Sequence, residues 1–202
     1  MAIGNPGPVI PERYRRALGD DDPVEAMAEA PDRLRKLIRG LTERQLARKP
    51  APGKWSIKEI IGHLADGEVV LGARYRFIAA HERPKLASYD QDAFVERLGT
   101  TGAKASELLD DFMWARAANL GLLLRLPPES WQRVGVHEER GEESIETLVT
   151  MYAGHDRIHL QQIETIRVGL FPPRRKAAAG KGPARRKAPA GKPAARRKAE
   201  RR

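Results

Sequence analysis

The sequence predicts an all-α fold, a four-helix bundle followed by a disordered basic C-terminal tail. Four long segments carry apolar residues at helical spacing, and no window shows sustained alternation of apolar and polar residues. After residue 171 the chain is instead dominated by Lys, Arg, Ala, Gly and Pro. We therefore expect a flexible N-terminal arm over residues 1–21, the bundle over residues 22–171 and the tail over residues 172–202.

The first helix is predicted from its N-terminal cap. Asp22 is a good N-cap residue, and Pro23 occupies the first helical position, where proline is favoured. Ala and Leu continue at helical spacing to about Leu41. Pro31 lies inside this segment, at a position where proline can kink a helix.

The second helix is predicted to begin at a capping box formed by Ser56 and Glu59. Apolar residues behind the box form one stripe, which extends this helix to about His81. Residues 84–98 are expected to connect it to the next long helix and to contain one short helix of their own.

A loop separates the last two predicted helices. Residues 101–126 carry an apolar face at helical spacing, and a Pro-Pro pair then ends the helix. The loop that follows includes the polar, glycine-bounded stretch 135–141. Ser144 opens the fourth helix, which is expected to run to about Val168.

Composition excludes several classes of site and of protein. The chain has no cysteine, so it cannot form disulfides or thiolate metal sites, and any metal must use imidazole or carboxylate ligands. The N-terminus lacks the basic start and apolar run of a signal peptide. The most apolar stretch, residues 120–126, is short and contains Arg125. We therefore expect a cytoplasmic protein that does not enter a membrane.

Positive charge is concentrated in the tail. Of the 37 Lys and Arg residues, 13 follow residue 171, against one acid there, Glu200, so the preceding chain is close to neutral. No large apolar side chain follows Phe171, which leaves too little surface to bury for folding. We expect the tail to bind nucleic acid or another polyanion through phosphates, without reading bases; the alternative is a solubilising extension. The predicted polyanion-binding residues form three repeated clusters: Arg174, Arg175 and Lys176; Arg185, Arg186 and Lys187; and Arg196, Arg197 and Lys198.

Two histidines on the predicted fourth helix have the spacing of a metal-binding pair. His155 and His159 lie about 40° apart around a helix and one turn apart along it, so both can reach one ion. The alternative is two separate surface or core histidines. His63 lies mid-way along the second helix, where a lone histidine is more often an interior residue than a ligand. Because antiparallel helices of similar length bring their middles together, the three imidazoles are expected to meet, with coordination positions left open for water or substrate.

Neighbours of these histidines are ranked by helical spacing. Asp66, three residues after His63, is a candidate fourth ligand or partner of an imidazole N–H. Tyr152 and Gln162 are candidates for lining a substrate cavity, although helix packing is the alternative for Tyr152. Glu68 lies on another face and is expected to be solvated or ion-paired.

The remaining polar and aromatic residues are expected to have structural roles or to be exposed to solvent. His81 lies about 27 Å from His63 along the helix axis, and His137 falls in the polar loop, so both are expected to be solvated. Asp156 is expected either to form an ion pair or to support His63. Core or lid packing is expected for the three tryptophans, Trp55, Trp114 and Trp131.

Two motifs taken together resemble the DinB-like superfamily. They are WSIKEIIGHLADGE at residues 55–68 and HDRIHLQQI at residues 155–163, and the resemblance extends over about residues 23–170. It implies a four-helix bundle in which the second helix gives one histidine and the last helix gives two. The implied metal ligands are His63, His155 and His159.

The resemblance also implies a metal-dependent activity. Some members of the family are transferases that use a low-molecular-weight thiol, and three neutral imidazoles suit a metal that lowers the pKa of a bound thiol or water. Our first hypothesis is a transferase acting on a small electrophilic substrate; a metal-dependent hydrolase and a non-enzymatic, stress-related metal-binding module are the alternatives. One divalent ion is expected, with zinc favoured over nickel or iron. A homodimer is one expected oligomeric state.

Overall fold

The computed structural model describes residues 10–172 and confirms the all-α four-helix bundle. The Arg-Arg-Lys clusters of the predicted tail lie outside the described residues. The helices in chain order are α1 (Glu12–Leu18), α2 (Pro23–Ile38), α3 (Glu43–Leu46), α4 (Ile57–Ala80), α5 (Gln91–Arg97), α6 (Ala105–Leu123) and α7 (Ile145–Leu170). A 3-10 turn at Pro128–Gln132 and three short strands, β1 (Lys85–Leu86), β2 (Val134–His137) and β3 (Gly141–Ser144), complete the fold. None of the helices within residues 10–172 has the length and apolarity needed to cross a bilayer.

The four long helices α2, α4, α6 and α7 form a ring. Both α2 and α4 pack against α6 and α7, so α2 and α4 occupy opposite corners although they follow each other in the chain. This arrangement places α4 directly beside α7. The two helices on which the sequence places the candidate metal ligands are therefore neighbours.

Side-chain caps confirm the predicted starts of three long helices. Asp22 Oδ1 accepts a hydrogen bond at 2.9 Å from the backbone N–H three residues later. Ser56 and Glu59 form the reciprocal capping box at the start of α4. Ser144 Oγ accepts at 3.1 Å from the N–H three residues later, which fixes the start of α7.

The end of the first long helix differs from the prediction. α2 ends at Ile38 and not near Leu41, because Arg39 leaves the helical conformation with a ψ of 128° and Gly40 turns the chain with a φ of +80°. Pro31 lies inside α2, and the helix continues through it. The short helix α3, which the sequence did not predict, follows directly and is held by its own capping box at Thr42.

The third long helix is shorter at both ends than the predicted 101–126. Glu107 accepts a hydrogen bond at 2.9 Å from the N–H of Lys104, so α6 begins only at the next residue. At the other end the helix stops at Leu123, before the Pro-Pro pair. The short helix expected between residues 84 and 98 is present as α5.

The N-terminal segment is not wholly the flexible arm that the sequence predicted. Residues 12–18 form α1, which packs along α7. The approach is so close that a Cβ added to Gly154 would lie 2.3 Å from the carbonyl oxygen of Tyr14, so glycine is required there. The prediction failed because Leu18 is the buried residue of this short helix, which leaves no apolar periodicity to read.

The polar stretch at residues 135–141 belongs to a small sheet, which corrects the prediction of a loop. β1 pairs with β2 in parallel, and β2 pairs with β3 antiparallel. Gly135 lies against Leu86 and Ile78, whose side-chain atoms would be 2.8 to 3.0 Å from an added Cβ. Strands of two to four residues are too short to show the alternation from which a strand is predicted.

The bundle interior consists of two apolar clusters with a polar layer between them. One cluster contains Ile60, Phe112 and Ile163, and the other contains Leu71 and Leu148. Between these levels each of the three helices α4, α6 and α7 turns polar side chains inward. The members of this polar layer are Glu68, Arg116, Asn119 and Asp156.

Candidate metal centre

Three imidazoles meet between α4 and α7. His63 extends from α4, and His155 and His159 extend from successive turns of α7. Nε2 of His155 lies 3.0 Å from Nε2 of His63 and 3.1 Å from Nε2 of His159. The structure thus brings together the three histidines that the sequence selected, with ligand atoms that all lie within 4.8 Å of one another.

The two nitrogen separations that involve His155 fit one small cation. A zinc–imidazole bond is about 2.0–2.1 Å long, so two nitrogens bound to one ion lie about 2.9–3.4 Å apart for octahedral to tetrahedral angles. The two measured Nε2 separations, 3.0 and 3.1 Å, fall in this range. With three protein ligands, such an ion retains positions for water or substrate.

Gln162 orients one of the three imidazoles. Its Oε1 lies 2.9 Å from Nδ1 of His159, and because an amide oxygen only accepts, Nδ1 carries the proton and donates. The lone pair of His159 Nε2 therefore faces the other two imidazoles. A partner that fixes the tautomer in this way is typical of metal-bound histidines.

Burial keeps two of the imidazoles neutral. Loss of hydration, followed by repulsion from the other two imidazoles, lowers the pKa of His63 to about 2. The same cause, followed by repulsion from His155, lowers the pKa of His159 to about 4. At neutral pH both rings are therefore unprotonated, which is the form that binds a metal.

The charged part of the polar layer lies beside the imidazoles. Arg116 Nη2 donates to Oε2 of Glu68 at 2.9 Å, and Arg116 Nη1 lies 2.8 Å from Oδ2 of Asp156. Burial raises the pKa of Asp156, but Arg116 and His155 outweigh burial and hold this pKa below its ordinary value. Two carboxylates thus share one guanidinium. One negative charge therefore remains unbalanced, and it lies next to the histidines, because Asp156 Oδ1 is 4.0 Å from His155 Nδ1. A cation held by the imidazoles would offset this charge.

These contacts decide between the alternatives left open for two acids. Of the two alternatives for Glu68, the ion pair is confirmed, because Glu68 pairs with Arg116. The solvated alternative is wrong, because Glu68 is 2% exposed. Asp156 forms an ion pair with Arg116 of α6, and its Oδ1 lies 4.0 Å from Nδ1 of His155.

Aromatic rings enclose the three imidazoles. The ring of Trp55 lies 4.8 Å from that of His63, measured between centroids. Tyr14 of α1 and Tyr152 of α7 lie 5.8 and 5.5 Å from the ring of His155. The helix that the sequence interpreted as a flexible arm therefore forms one wall of the site.

A cavity of about 210 Å³ opens beside His155. Tyr152 lines it and also packs within an apolar cluster, so both sequence-based alternatives describe this residue, whereas Gln162 is not among the lining residues. His137 lines it as well and is 1% exposed, so the prediction of a solvated histidine was wrong: β2 carries this residue inward. The charged residues on the wall are Arg13, Arg74, Glu139 and Arg140.

Other predicted candidates lie away from the imidazoles. Asp66 is not a member of the three-histidine group; its pKa is raised by burial and by the neighbouring Asp111 of α6. His81 is exposed, as predicted. Trp114 is 75% exposed and packs neither in the core nor as a lid, whereas Trp131 packs against an apolar cluster.

Three residues of the site escaped the sequence interpretation. Tyr14 falls in the segment taken for an arm, and Arg74 and Arg116 lie within the apolar faces of α4 and α6. The signal that points to both arginines is a basic residue at a core-facing position, because arginine is rarely buried unless it has a partner.

Comparison with known proteins finds relatives whose names refer to metal dependence. A protein of Bacillus cereus (strain B4264) named "Putative metal-dependent hydrolase" is 23% identical over 158 residues, which cover 76% of this chain and 90% of the relative. A protein of Bacillus mycoides (strain KBAB4) that carries the same name is 23% identical over 145 residues, covering 71% and 83%.

A solved structure and a family model complete the comparison. The structure of YfiT from Bacillus subtilis, described in its title as "a probable metal-dependent hydrolase with an unusual four-helix bundle topology", matches with a TM-score of 0.68 and 22% identity. The match covers 72% of this chain and 83% of YfiT, and it supports the fold. The model of the DinB superfamily matches residues 26–163, which is more than half of the sequence, and the chain therefore belongs to the DinB superfamily.

Proposed function

We propose that this protein is a metal-dependent enzyme in which His63, His155 and His159 hold one divalent cation beside a small-molecule cavity. The observation that carries the proposal is the convergence of three Nε2 atoms at 3.0 and 3.1 Å. The name shared by the two Bacillus relatives supports hydrolysis as the reaction. Zinc is the favoured ion, with nickel and iron as alternatives for an all-imidazole ligand set.

The chain's own residues provide position and environment. When bound, a divalent ion held by neutral imidazoles lowers the pKa of a water or thiol in its open coordination positions. Gln162 holds His159 in the tautomer that ligation needs, and the surplus charge at Asp156 favours a cation nearby. Trp55 and Tyr14 shield the rings from solvent, and the cavity beside His155 offers space for a small substrate.

Transfer of a low-molecular-weight thiol to a small electrophile is the second candidate reaction. It is implied by the family resemblance, and the same open coordination positions can hold a thiol in place of water. The chain has no cysteine, so the thiol would be supplied from outside.

One experiment tests both reactions. The purified full chain is loaded separately with zinc, nickel or iron and assayed with p-nitrophenyl acetate for hydrolysis. It is then assayed with chlorodinitrobenzene and a panel of thiols for transfer. We expect turnover by the metal-loaded protein that is lost in His155→Ala and kept in His81→Ala, since His81 is exposed and far from the site.

Each alternative result has a defined meaning. Turnover of the ester without thiol consumption favours the hydrolase, whereas formation of a thioether favours the transferase. One bound metal equivalent with no turnover on either substrate favours the non-enzymatic metal-binding module. Equal rates in wild type and His155→Ala would contradict a metal-dependent reaction at this site.

For the basic tail we propose non-specific binding of polyanions such as nucleic acid. The support is its sequence, with 13 basic residues after residue 171 against one acid. Deletion of residues 172–202 should abolish retention on DNA at low salt and leave metal content unchanged. Retention that survives the deletion would contradict the proposal.

A further inference from the structure

Arg74 is a buried cation that forms no salt bridge within residues 10–172, since the carboxylate on the same wall, that of Glu139, is exposed to solvent. It is 3% exposed and lies on the wall of the cavity beside His155. Nη1 donates to the hydroxyl of Tyr152 at 3.2 Å and Nη2 to the carbonyl of Ala87 at 2.7 Å, while Nε has no partner within residues 10–172. Both of these partners are neutral. Because a buried charge is stable only when it is compensated, this guanidinium requires an anion.

The other cationic groups on the wall differ from Arg74 in this respect. Arg140 is neutralised by Glu143, whose two carboxylate oxygens lie 2.5 and 3.0 Å from its nitrogens. Arg13 is exposed and lies over the ring of Tyr14, so water compensates its charge. Arg74 is therefore the cavity-lining cation whose charge is neither paired within residues 10–172 nor solvated.

His137 adds a second, independent observation. Its Nδ1 faces two backbone N–H groups, from Glu139 at 3.2 Å and Arg140 at 3.4 Å, and its Nε2 lies 3.1 Å from Nη2 of Arg74. Both ring nitrogens thus face donors, but a neutral imidazole has one acceptor nitrogen only. Burial, followed by the charge of Arg140, lowers the pKa of His137, so the ring stays neutral.

An anion resolves this mismatch. If Nδ1 accepts from the two backbone N–H groups, the proton of His137 resides on Nε2. This N–H then points towards an N–H of Arg74, so that two donors face each other without an acceptor. An anion oxygen that lies beside this pair, within hydrogen-bond distance of both nitrogens, accepts from both. The hydroxyl of Tyr152, whose pKa burial raises, remains protonated and supplies a third donor at the same place.

We propose that Arg74, His137 and Tyr152 form an anion subsite that binds the carboxylate of the substrate. The inference rests on the proposed function in one respect, that the reacting group of the same molecule lies at the three histidines. Tyr152 joins the two places, because its hydroxyl contacts Arg74 while its ring lies 5.5 Å from that of His155. The substrate class is therefore a small carboxylic acid with its reactive group a few bonds from the carboxylate.

Charge favours a carboxylate over a phosphate. A single unpaired guanidinium balances one negative charge, and a phosphate that carries two would leave one of them buried. The surplus negative charge at Glu68 and Asp156 in the neighbouring polar layer makes a further anionic charge more costly.

The first test compares acids with their neutral amides on the cobalt-loaded full chain. Mercaptoacetate, 3-mercaptopropionate and 4-mercaptobutyrate place a thiolate and a carboxylate at increasing separations, and cobalt–thiolate absorption reports binding. We expect at least one acid to bind tenfold or more tightly than its amide. Arg74→Gln should abolish that preference, Arg74→Lys should restore part of it, and the exposed Arg76→Gln should leave it unchanged. Equal affinity of acid and amide throughout the series overturns the proposal.

The second test uses the metal-free protein, so that it is independent of the proposed function. Acetate, acetamide and inorganic phosphate are titrated while the Nε–H signal of Arg74 and the ring signals of His137 are followed by NMR. We expect a saturable shift of both residues with acetate only. No shift with acetate overturns the subsite, and tighter binding of phosphate overturns the assignment to a carboxylate. If the full chain binds no cobalt while the acetate titration is positive, the metal-dependent function is rejected and the anion subsite is retained.

Discussion

Single residues around the three imidazoles have separable tasks. In the proposed metal site, His63, His155 and His159 are the ligands, while Gln162 holds the proton of His159 on Nδ1 through a 2.9 Å hydrogen bond. His137 acts on the other side of the cavity, where its neutral ring contacts Arg74. Loss of each contact should therefore affect a different measurable property.

Replacement of Gln162 by leucine should weaken metal binding without removing a ligand. Without its acceptor, the Nδ1–H of His159 loses the contact that fixes the ring, and loss of such a contact lowers metal affinity by about 10- to 100-fold. Gln161→Leu is the matched control, because Gln161 is the exposed neighbour on the same helix. Competition with a chromogenic chelator measures both affinities, and equal affinities for the two variants would contradict the assigned role.

His137 should make the fold less stable in acid. Its pKa is lowered from 6.5 by burial, so below pH 6.5 the unfolded chain takes up a proton that the folded chain does not. Stability is therefore complete above pH 6.5 and falls as the pH falls, by at most about 1.4 kcal/mol per pH unit for this group. Urea unfolding from pH 8 to pH 5 with a chelator present should give a shallower dependence for His137→Gln than for wild type. Parallel curves would show that His137 titrates normally in the fold.

Among the secondary-structure elements, α1 and the small sheet enclose the site that lies between α4 and α7. α1 brings Tyr14 against His155, and β2 brings His137 against Arg74 of α4. Neither element was predicted, because α1 buries little and the strands are short. The long helices and their caps at Asp22, Ser56 and Ser144 were predicted, because 3.6-residue periodicity and capping boxes are local properties of sequence.

The contact between α1 and α7 should depend on Gly154. A Cβ there would lie 2.3 Å from the backbone oxygen of Tyr14, which cannot move without α1, so Gly154→Ala should lower stability by about 1–3 kcal/mol. Gly169→Ala is the control on the same helix, since an added Cβ meets nothing within 4 Å and alanine favours the helix. Thermal unfolding and hydrogen exchange across residues 12–18 measure the effect. Unchanged exchange in Gly154→Ala would show that α1 does not rest on this contact.

In the whole molecule, the polar layer of the bundle contributes to the stability of the fold and lies beside the three histidines. It crosses the interior between two apolar clusters, and its one guanidinium, on Arg116, serves the carboxylates of Glu68 and Asp156. The histidine constellation could be predicted from spacing and resemblance, because all three residues lie mid-helix. The layer and the cavity could not, because they depend on which helices are neighbours around the bundle.

Removal of Arg116 should strongly destabilise the fold. Arg116→Leu leaves two buried carboxylates unpaired, and breaking such a pair costs about 3–5 kcal/mol. Arg125→Leu on the exposed turn that follows α6 should change stability by less than about 0.5 kcal/mol. The free energy of unfolding in urea distinguishes the two, and a small loss in Arg116→Leu would mean that the layer does not need its cation.

The central claim, one divalent ion held by three histidines, is tested most directly by elemental analysis. The full chain should contain close to one equivalent of a divalent metal, as purified or after reconstitution with zinc. His63→Ala should fall to near zero, because His63 is the ligand that α4 contributes, while His81→Ala, on an exposed residue at the end of the same helix, should retain the metal. Absence of metal from the reconstituted wild type, or full retention by His63→Ala, would contradict the claim.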